Sequence, residues 1–493
     1  MPNCDIGTIV AGLNREQAGA VTAGVDRPVL VLAGAGCGKT TVLTRRIAYL
    51  AGQFCPGPNI LALTFTRAAA REMAQRVAAF PQTGGAAGLP LVTTFHAFCL
   101  RLLLSPGNGA PTYSLLGYPR RPRLVSERMR LRMIARASTR DERTALCADV
   151  LELSAMLSRR AVLSRKNPSA EPNAEAALRD IERRYSRAKM ERGLWDFSDF
   201  ITGAIELFDA HPSAARNFAS RFHAVLVDEF QDTNPAQLQI LQRLLVHGVP
   251  LFAVGDDDQA IYGFQGADRA AILDFGARFP GANILKLQTN YRSTPAILSA
   301  ANRIFRAKPR TFRKVLVAGR PADAAPSARR AVTKTVLDSD DDMVRYLGSA
   351  IGRLVSEDGV PMSDIAILFR LNQTLDRIGP MLAAGLGRCE RPPQLLTVHG
   401  SKGREFDAVF LCDLEEGVFP KKQSHSARGS WRQRIANLLG ISAGDNGEMG
   451  EEKRLFYVGV TRAKRVLHLV SVRRKMLYGR TRKLAPSRFV RLL

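Results

Sequence analysis

Residues 29–50, "VLVLAGAGCGKTTVLTRRIAYL", constrain the fold more than any other stretch. Five apolar residues without polar alternation read as a strand buried on both faces, which is the pattern of a parallel sheet. A glycine-rich turn follows, then a run with helical spacing. In such a strand–loop–helix unit, successive backbone N–H groups around Gly34, Gly36 and Gly38 can cradle phosphates. Lys39 can reach the β and γ phosphates, and the Thr40 hydroxyl can bind Mg²⁺. The strict Gly-x-x-x-x-Gly-Lys-Thr spacing fails at its first position, Ala33, while Gly38-Lys39-Thr40 is intact.

Further apolar runs repeat the signal. "NILALTFT", "HAVLVDEF", "PLFAVGD" and "NILKLQ" extend the first unit, and "SDIAILFR", "PQLLTVHG", "FDAVFLCD" and "RVLHLVSV" predict a second. In "VLVDEFQDTN", Asp228 ends a buried strand, where a carboxylate can hold Mg²⁺ directly or through water. Glu229 beside it can polarise an attacking water.

Residues 97–220 are rich in Ala, Leu, Arg and Glu at helical spacing, which predicts an all-helical insertion between two strands of the first unit. Residues 307–336, rich in Pro, Ala and Arg, read as a loop or irregular basic surface. Residues 421–450, with Trp431 and several basic residues, read as a polar surface excursion.

The 71 Lys and Arg against 45 Asp and Glu give a net charge of +26 spread along the chain. Such a balance implies a polyanionic partner, most often nucleic acid. No run of ~18 apolar residues is present, so no membrane span is expected. The first ten residues lack a basic stretch followed by an apolar core, so no signal peptide is expected. Seven scattered cysteines without a C-x-x-C read as reduced thiols in a cytoplasmic protein.

Taken in order, the motifs resemble superfamily-1 helicases of the UvrD/Rep type, over nearly the whole chain. The stretches that carry the resemblance are "LNREQAGAV", "ALTFTRAAAREM", "TTFHAFCLRLL", "VDEFQDTN", "GDDDQAIYGFQGA", "TNYRSTPAIL", "TVHGSKGREFDAVFL", "EEGVFP" and "EEKRLFYVGVTRAK". "WDFSDFI" and "PSRF" add to it.

The resemblance implies an α/β fold with two RecA-like parallel-sheet P-loop motor domains and an all-helical insertion in the first. The expected division is 1–96 and 221–290 for the first motor domain, 97–220 for the insertion, and 291–493 for the second motor domain. ATP and Mg²⁺ are the implied cofactors. ATP is expected on the loop Gly34, Ala35, Gly36, Cys37 and Gly38 with Lys39, Thr40 and Thr41. Gln17 resembles the adenine-reading residue, Tyr291 the adenine-stacking one and Glu405 the ribose contact. Gln259 resembles the γ-phosphate sensor, and Arg292 and Arg462 resemble arginine fingers. Mg²⁺ is expected on Thr40 and Asp228. Phe65, Tyr262, Phe264 and His399 resemble the contacts to single-stranded DNA, with stacking tolerant of sequence because every base has a π-face.

In "GDDDQ", Asp256 is expected to support the Mg²⁺ and phosphate network, and Asp257 and Asp258 to order the loop. The activity implied is ATP-driven 3′–5′ translocation on single-stranded DNA and unwinding from single-strand/duplex junctions. The alternative is an ATP-gated DNA-binding subunit that recruits or licenses a separate nuclease, since the resemblance extends to compact members that accompany nucleases in phage defence.

Three departures stand out. Phe264-Gln265 replaces the common Trp-Arg. Thr41 stands where many members carry Arg. Residues 371–396 stand where typical members insert a whole accessory domain, and they suffice only for a short helix and turns.

Overall fold

The computed structural model describes residues 6–80, 88–106, 110–146, 148–162, 172–246, 248–306, 311–319, 331–386, 391–421, 448–477 and 479–493. Two parallel sheets organise them. The first comprises β1 (Val29–Ala33), β2 (Ile60–Thr64), β3 (Leu91–Thr94), β4 (Ala224–Val227), β5 (Leu251–Gly255) and β6 (Asn283–Leu287), in the order β3-β2-β4-β5-β1-β6. The second comprises β7 (Val332–Leu337), β8 (Ile365–Phe369), β9 (Gln394–Thr397), β10 (Phe406–Leu411) and β11 (Ala463–Val472), in the order β7-β11-β10-β8-β9. Every pairing within both sheets is parallel.

The central strands β1, β2, β4, β5 and β8 are buried along their whole length. Helices cover both faces, and this is why these strands read as continuous apolar runs. Each fully buried Val, Leu or Ile contributes ~1.5–3 kcal/mol against exposure. One core runs through both sheets, joining Val42 and Val254 on the first side to Leu368, Phe406 and Phe456 on the second. The helices Pro295–Ile304 and Glu448–Val460 pack on each other and supply buried residues to that shared core. Near the end of the chain, Phe489 stacks on Phe456 at 5.3 Å and Arg488 pairs with Glu416 at 2.9 Å, which ties "PSRF" to "EEGVFP".

Among the described residues, the connection from β3 to β4 is mainly helical, with a two-residue strand pair, Arg123–Leu124 with Leu194–Trp195. Its outer part has a separate core of Val125, Met133, Ile134, Leu153, Leu178 and Tyr185. Its first and last helices, Phe95–Leu104, Phe197–Ala210 and Pro212–Ala219, pack instead in the core of the first sheet. Asp196 caps Phe197–Ala210 by accepting from Ser198 N and Asp199 N, and its carboxylate meets buried Lys189 at 3.1 Å.

The segment read as an irregular basic surface is only partly so. Val332–Leu337 is the edge strand β7, paired with β11. From Thr333 to Leu337 the strand alternates between half-buried Thr333, Thr335 and Leu337 and exposed Lys334 and Val336, as an edge strand does. Six residues are too short a period-2 signal to stand out beside an Arg-rich stretch. Lys314 is buried rather than exposed. Residues 371–396 hold the helix Asn372–Leu386, with Thr374, Ile378 and Leu382 buried, and then β9. Trp431 and nearly all of 421–450 lie outside the described residues, apart from Lys421 and the start of the helix Glu448–Val460.

Candidate nucleotide and DNA site

In a parallel sheet, ligands gather beyond the carboxyl ends of the strands, and the first sheet places its predicted residues there. Gly34–Gly38 follow β1, Phe65 follows β2, Asp228 and Glu229 follow β4, Asp256–Gln259 follow β5, and Asn290–Arg292 follow β6.

The phosphate loop is shaped by two left-handed glycines, Gly36 at φ 69° and Gly38 at φ 83°. A Cβ on Gly38 would lie 2.6 Å from Gln17 Nε2, and one on Gly36 would lie 2.5 Å from Asn290 Nδ2. Side chains thus close on the loop from outside. Gln17 Nε2 donates to Cys37 O at 3.1 Å, and Asn290 Nδ2 donates to Ala35 O at 2.6 Å. Lys39 Nζ rests on Ala33 O at 3.3 Å. Thr40 and Thr41 open the helix Lys39–Gln53, and both of their carbonyls accept from Thr44 Oγ1. The half-exposed Tyr291 ring lies beside Gln17, because Tyr291 Oη accepts from Asn14 Nδ2 at 2.8 Å and Asn14 caps the helix that carries Gln17.

After β4, Glu229 adopts a left-handed backbone at φ 49°, a conformation costing a residue with a Cβ roughly 1–2 kcal/mol. Gln231 Nε2 holds its carboxylate, while Gln231 Oε1 accepts from Asp256 N at 2.8 Å. One glutamine therefore links the Asp228-Glu229 turn to the loop after β5. Burial, then the adjacent Glu229 charge, push the Asp228 carboxyl up to about 7. Burial alone would also raise Glu229, but the Lys402 and Lys39 ammonium groups outweigh it and hold that carboxyl below its ordinary value.

The second sheet meets this edge with a different part of its strands. Arg462 immediately precedes β11 and Glu405 immediately precedes β10, so both stand at amino ends. Arg462 is buried and donates to Gln259 Oε1 at 3.3 Å, Val458 O at 3.1 Å and Arg404 O at 3.0 Å. Burial, then repulsion from Arg292, lower its guanidinium to about 9. Arg292 bonds Glu405 at 2.6 Å, and Lys464 approaches the same carboxylate at 3.4 Å. The site therefore carries a crowded pair of acids on one side and a crowded pair of guanidinium groups on the other. A cation beside Asp228 and an anion beside Arg462 would each relieve a like-charge contact that is at least half-buried. Among the predicted nucleotide residues, the Arg292 guanidinium and the Glu405 carboxylate are engaged with each other, while Arg292 Cβ lies against Gly36 of the loop.

The four predicted DNA residues come together in one strip. Phe65 stacks on Tyr262 at 5.3 Å and 14°, Tyr262 meets Phe264 at 6.0 Å, and Phe264 meets His399 edge-on at 5.4 Å. The strip crosses from β2 to β9, so both sheets contribute. Phe264 is exposed, and the other three are half-buried.

Lys402 was not singled out from the sequence, yet it joins these parts. Its ammonium bonds Asp232 and Gln259 O (2.9 Å) and lies 4.8 Å over the Tyr262 ring. Arg454 Nε donates to Ala260 O at 2.7 Å, and Arg159 from the helical connection donates to Gly263 O at 3.2 Å. Lys402 and Arg454 both lie inside motif stretches, "HGSKGREF" and "EEKRLFY", but neither stretch shows which groups they meet.

Fold and site together define a phosphate-loop protein with two parallel-sheet units facing one cleft. The UvrD/REP helicase N-terminal domain matches residues 13–280, and the UvrD-like helicase C-terminal domain matches residues 285–385 and 393–474. The chain belongs to this helicase family, and its two sheets are the family's RecA-like units. It is 32% identical over 488 residues to a "Probable DNA helicase" of Mycoplasma pneumoniae, covering 98% of this chain and 87% of that one. It is 33% identical over 374 residues to "ATP-dependent DNA helicase PcrA" of Bacillus subtilis, covering 74% of this chain and 48% of that one. To "ATP-dependent DNA helicase UvrD1" of Mycobacterium leprae it is 33% identical over 398 residues, covering 75% and 48%. The aligned part thus spans about half the length of the PcrA and UvrD1 relatives. No helix among the described residues is long and apolar enough to cross a membrane.

Proposed function

We propose that this protein is an ATP-dependent DNA helicase that steps 3′ to 5′ along one strand and opens duplex from single-strand junctions. One observation carries the reading. The loop Asp256–Gly266 places Gln259 against Arg462 at one end, and Tyr262 and Phe264 in the aromatic strip at the other. A shift of Gln259 toward or away from a nucleotide is therefore felt within a few residues by the groups that stack on bases. The names of the relatives point to the same activity; the polarity is the family expectation.

The crowded Asp228-Glu229 pair and the Thr40 hydroxyl suit a divalent cation. When bound with ATP, Mg²⁺ would neutralise charge on the β and γ phosphates. Asp228 and Thr40 would hold it. Lys39 would leave Ala33 O for a phosphate oxygen, and Glu229 would orient the attacking water. Arg292 would exchange Glu405 for the γ-phosphate, and Arg462 would approach from the second sheet. Glu405, once released, would be free for the ribose, with Tyr291 stacking on adenine and Gln17 reading its edge. Closure of the two sheets on ATP and release after hydrolysis would alternate the grips of Phe65 and Tyr262 with those of Phe264 and His399.

The test is ATP hydrolysis with and without oligo-dT, followed by unwinding of duplexes with 3′ or 5′ tails. Stimulation by oligo-dT and opening of the 3′-tailed substrate alone are expected. Hydrolysis indifferent to DNA, or opening of the 5′-tailed substrate, would overturn the reading.

A further inference from the structure

Three consecutive buried acids, Asp256, Asp257 and Asp258, stand beside Gln259, with their carboxylate oxygens within 4.8 Å of one another. The space among them is filled by a side chain. The Lys314 ammonium bonds Asp256 and Asp257 and lies 3.4 Å from Asp258. Lys314 is 6% exposed. Burial alone would lower its pKa, but the three carboxylates hold it well above the ordinary lysine range. Burial likewise raises Asp256, and Lys314 followed by Lys39 bring it down to about 2.

The segment that delivers Lys314 is tightly placed. Asn302, on the helix Pro295–Ile304, bonds both the N–H and the C=O of Leu316 at 2.9 Å. Leu316 in turn covers the phosphate loop, for a Cβ on Gly34 would lie 2.3 Å from its Cδ2. Residues 314–316 therefore strap the phosphate loop to the loop after β5.

Asp256 decides how the Gln259 amide is turned. An ionised carboxylate only accepts. Asp256 Oδ2 accepts from Gln259 Nε2 at 2.7 Å, which leaves Gln259 Oε1 facing Arg462. Asp256 Oδ1 is fixed by Asp258 N at 3.2 Å and by Lys314.

We propose that Lys314 is a positioning residue for ATP hydrolysis: by pinning Asp256 as an acceptor it sets the orientation of Gln259, and it ties that orientation to the segment joining the two sheets. The inference rests on the reading of Gln259 as the γ-phosphate sensor. A purely structural role, neutralising buried acids, makes a different prediction, and a double-mutant cycle on the full chain separates the two.

In the presence of Mg-ATP and oligo-dT, Lys314→Met is expected to lower kcat about tenfold with KM for ATP within about twofold. In a Gln259→Ala background the same substitution is expected to cost less than about twofold, because the group it positions is gone. Lys314→Met/Asp257→Asn keeps the net charge of the cluster and carries the same comparison if the single variant unfolds. Equal fold-losses in the two backgrounds, or wild-type turnover by a folded Lys314 variant, overturn the proposal. Wild-type turnover by Gln259→Ala would instead overturn the functional reading beneath it.

Discussion

The two sheets share a strand plan and use it from opposite ends. The first offers the cleft its carboxyl ends, where loops after β1, β4 and β5 carry the phosphate loop, the Asp228-Glu229 turn and Gln259. The second offers amino ends, with Arg462 before β11 and Glu405 before β10. Its carboxyl ends carry another set: Asp413, after β10, pairs with buried Lys475 at 2.8 Å, and Arg370, after β8, bonds Glu452 at 3.1 Å. The connection His399–Glu405 links the two ends of the second sheet. It runs from the carboxyl end of β9 to the amino end of β10, touching Phe264 with His399, Asp232 with Lys402 and Arg292 with Glu405. The site thus has its phosphate loop and the Asp228-Glu229 turn on the first body, Arg292 just beyond β6 of that body, and Arg462 and Glu405 on the second.

The sharpest way to break that comparison is to remove one group from each side. Arg462→Ala is expected to lower DNA-stimulated kcat by about 10³-fold or more, in the range that arginine fingers supply. Glu229→Gln is expected to cost about 10²–10⁴-fold, as loss of a positioned base does, while nucleotide binding measured with a fluorescent ATP analogue persists. Lys39→Ala should lose turnover and weaken that binding as well. If Arg462→Ala hydrolyses ATP at the wild-type rate, the second sheet is scaffolding and the division of labour fails.

The aromatic strip sharpens the same contrast at smaller scale, since Tyr262 belongs to the first body and His399 to the second. Tyr262→Ala and Phe264→Ala are each expected to weaken single-strand binding by ~1–3 kcal/mol, roughly 5–150-fold. Fluorescence anisotropy with oligo-dT measures this at fixed salt. Undiminished affinity in both variants would mean that the rings pack on each other and do not receive bases.

These experiments also mark what the chain's letters disclose. Gly36 and Gly38 were legible because left-handed backbone singles out glycine wherever the loop lies. Phe65, Tyr262, Phe264 and His399 were legible as motif members, and the fold brings them into one strip. Lys314 was not legible. An isolated lysine in a Pro- and Arg-rich stretch has every mark of solvent exposure, and its three acidic partners lie more than fifty residues away. Lys402 was missed for a related reason: nothing local says that an ammonium beside Gly403 will cross to Asp232. The Arg292–Glu405 pair was legible as two residues and not as a contact, because burial and proximity set ion pairs while periodicity does not.

Residues 371–396 bear on how far the two bodies work alone. The helix Asn372–Leu386 packs three side chains into the second unit, and β9 follows soon after, which leaves no space for a domain with its own core. The groups proposed to work the motor lie on both sheets. The expectation is translocation on single strands with unwinding yield that falls steeply as duplex length rises, read in single-turnover assays. Long duplexes opened in full by the protein alone would show that the two bodies need no accessory surface.

The smallest expected effect lies at the seam of the comparison. Gln265 follows the exposed ring of Phe264, and its own side chain is exposed at the edge of the strip. An arginine here, as the family resemblance implies, would put a charge where a strand's phosphates are expected to pass. Gln265→Arg is therefore expected to raise stimulation of ATP hydrolysis by oligo-dT. It should also steepen the salt dependence of binding by about 0.7 in the log–log slope, the counterion release of one added phosphate contact on a single strand. A guanidinium that reached inward instead would meet Arg454 and Arg269, which already crowd this loop, and would lower stimulation without changing the slope. A steeper slope with stronger stimulation places Gln265 on the DNA side of the loop, whereas an unchanged slope places it on the nucleotide side.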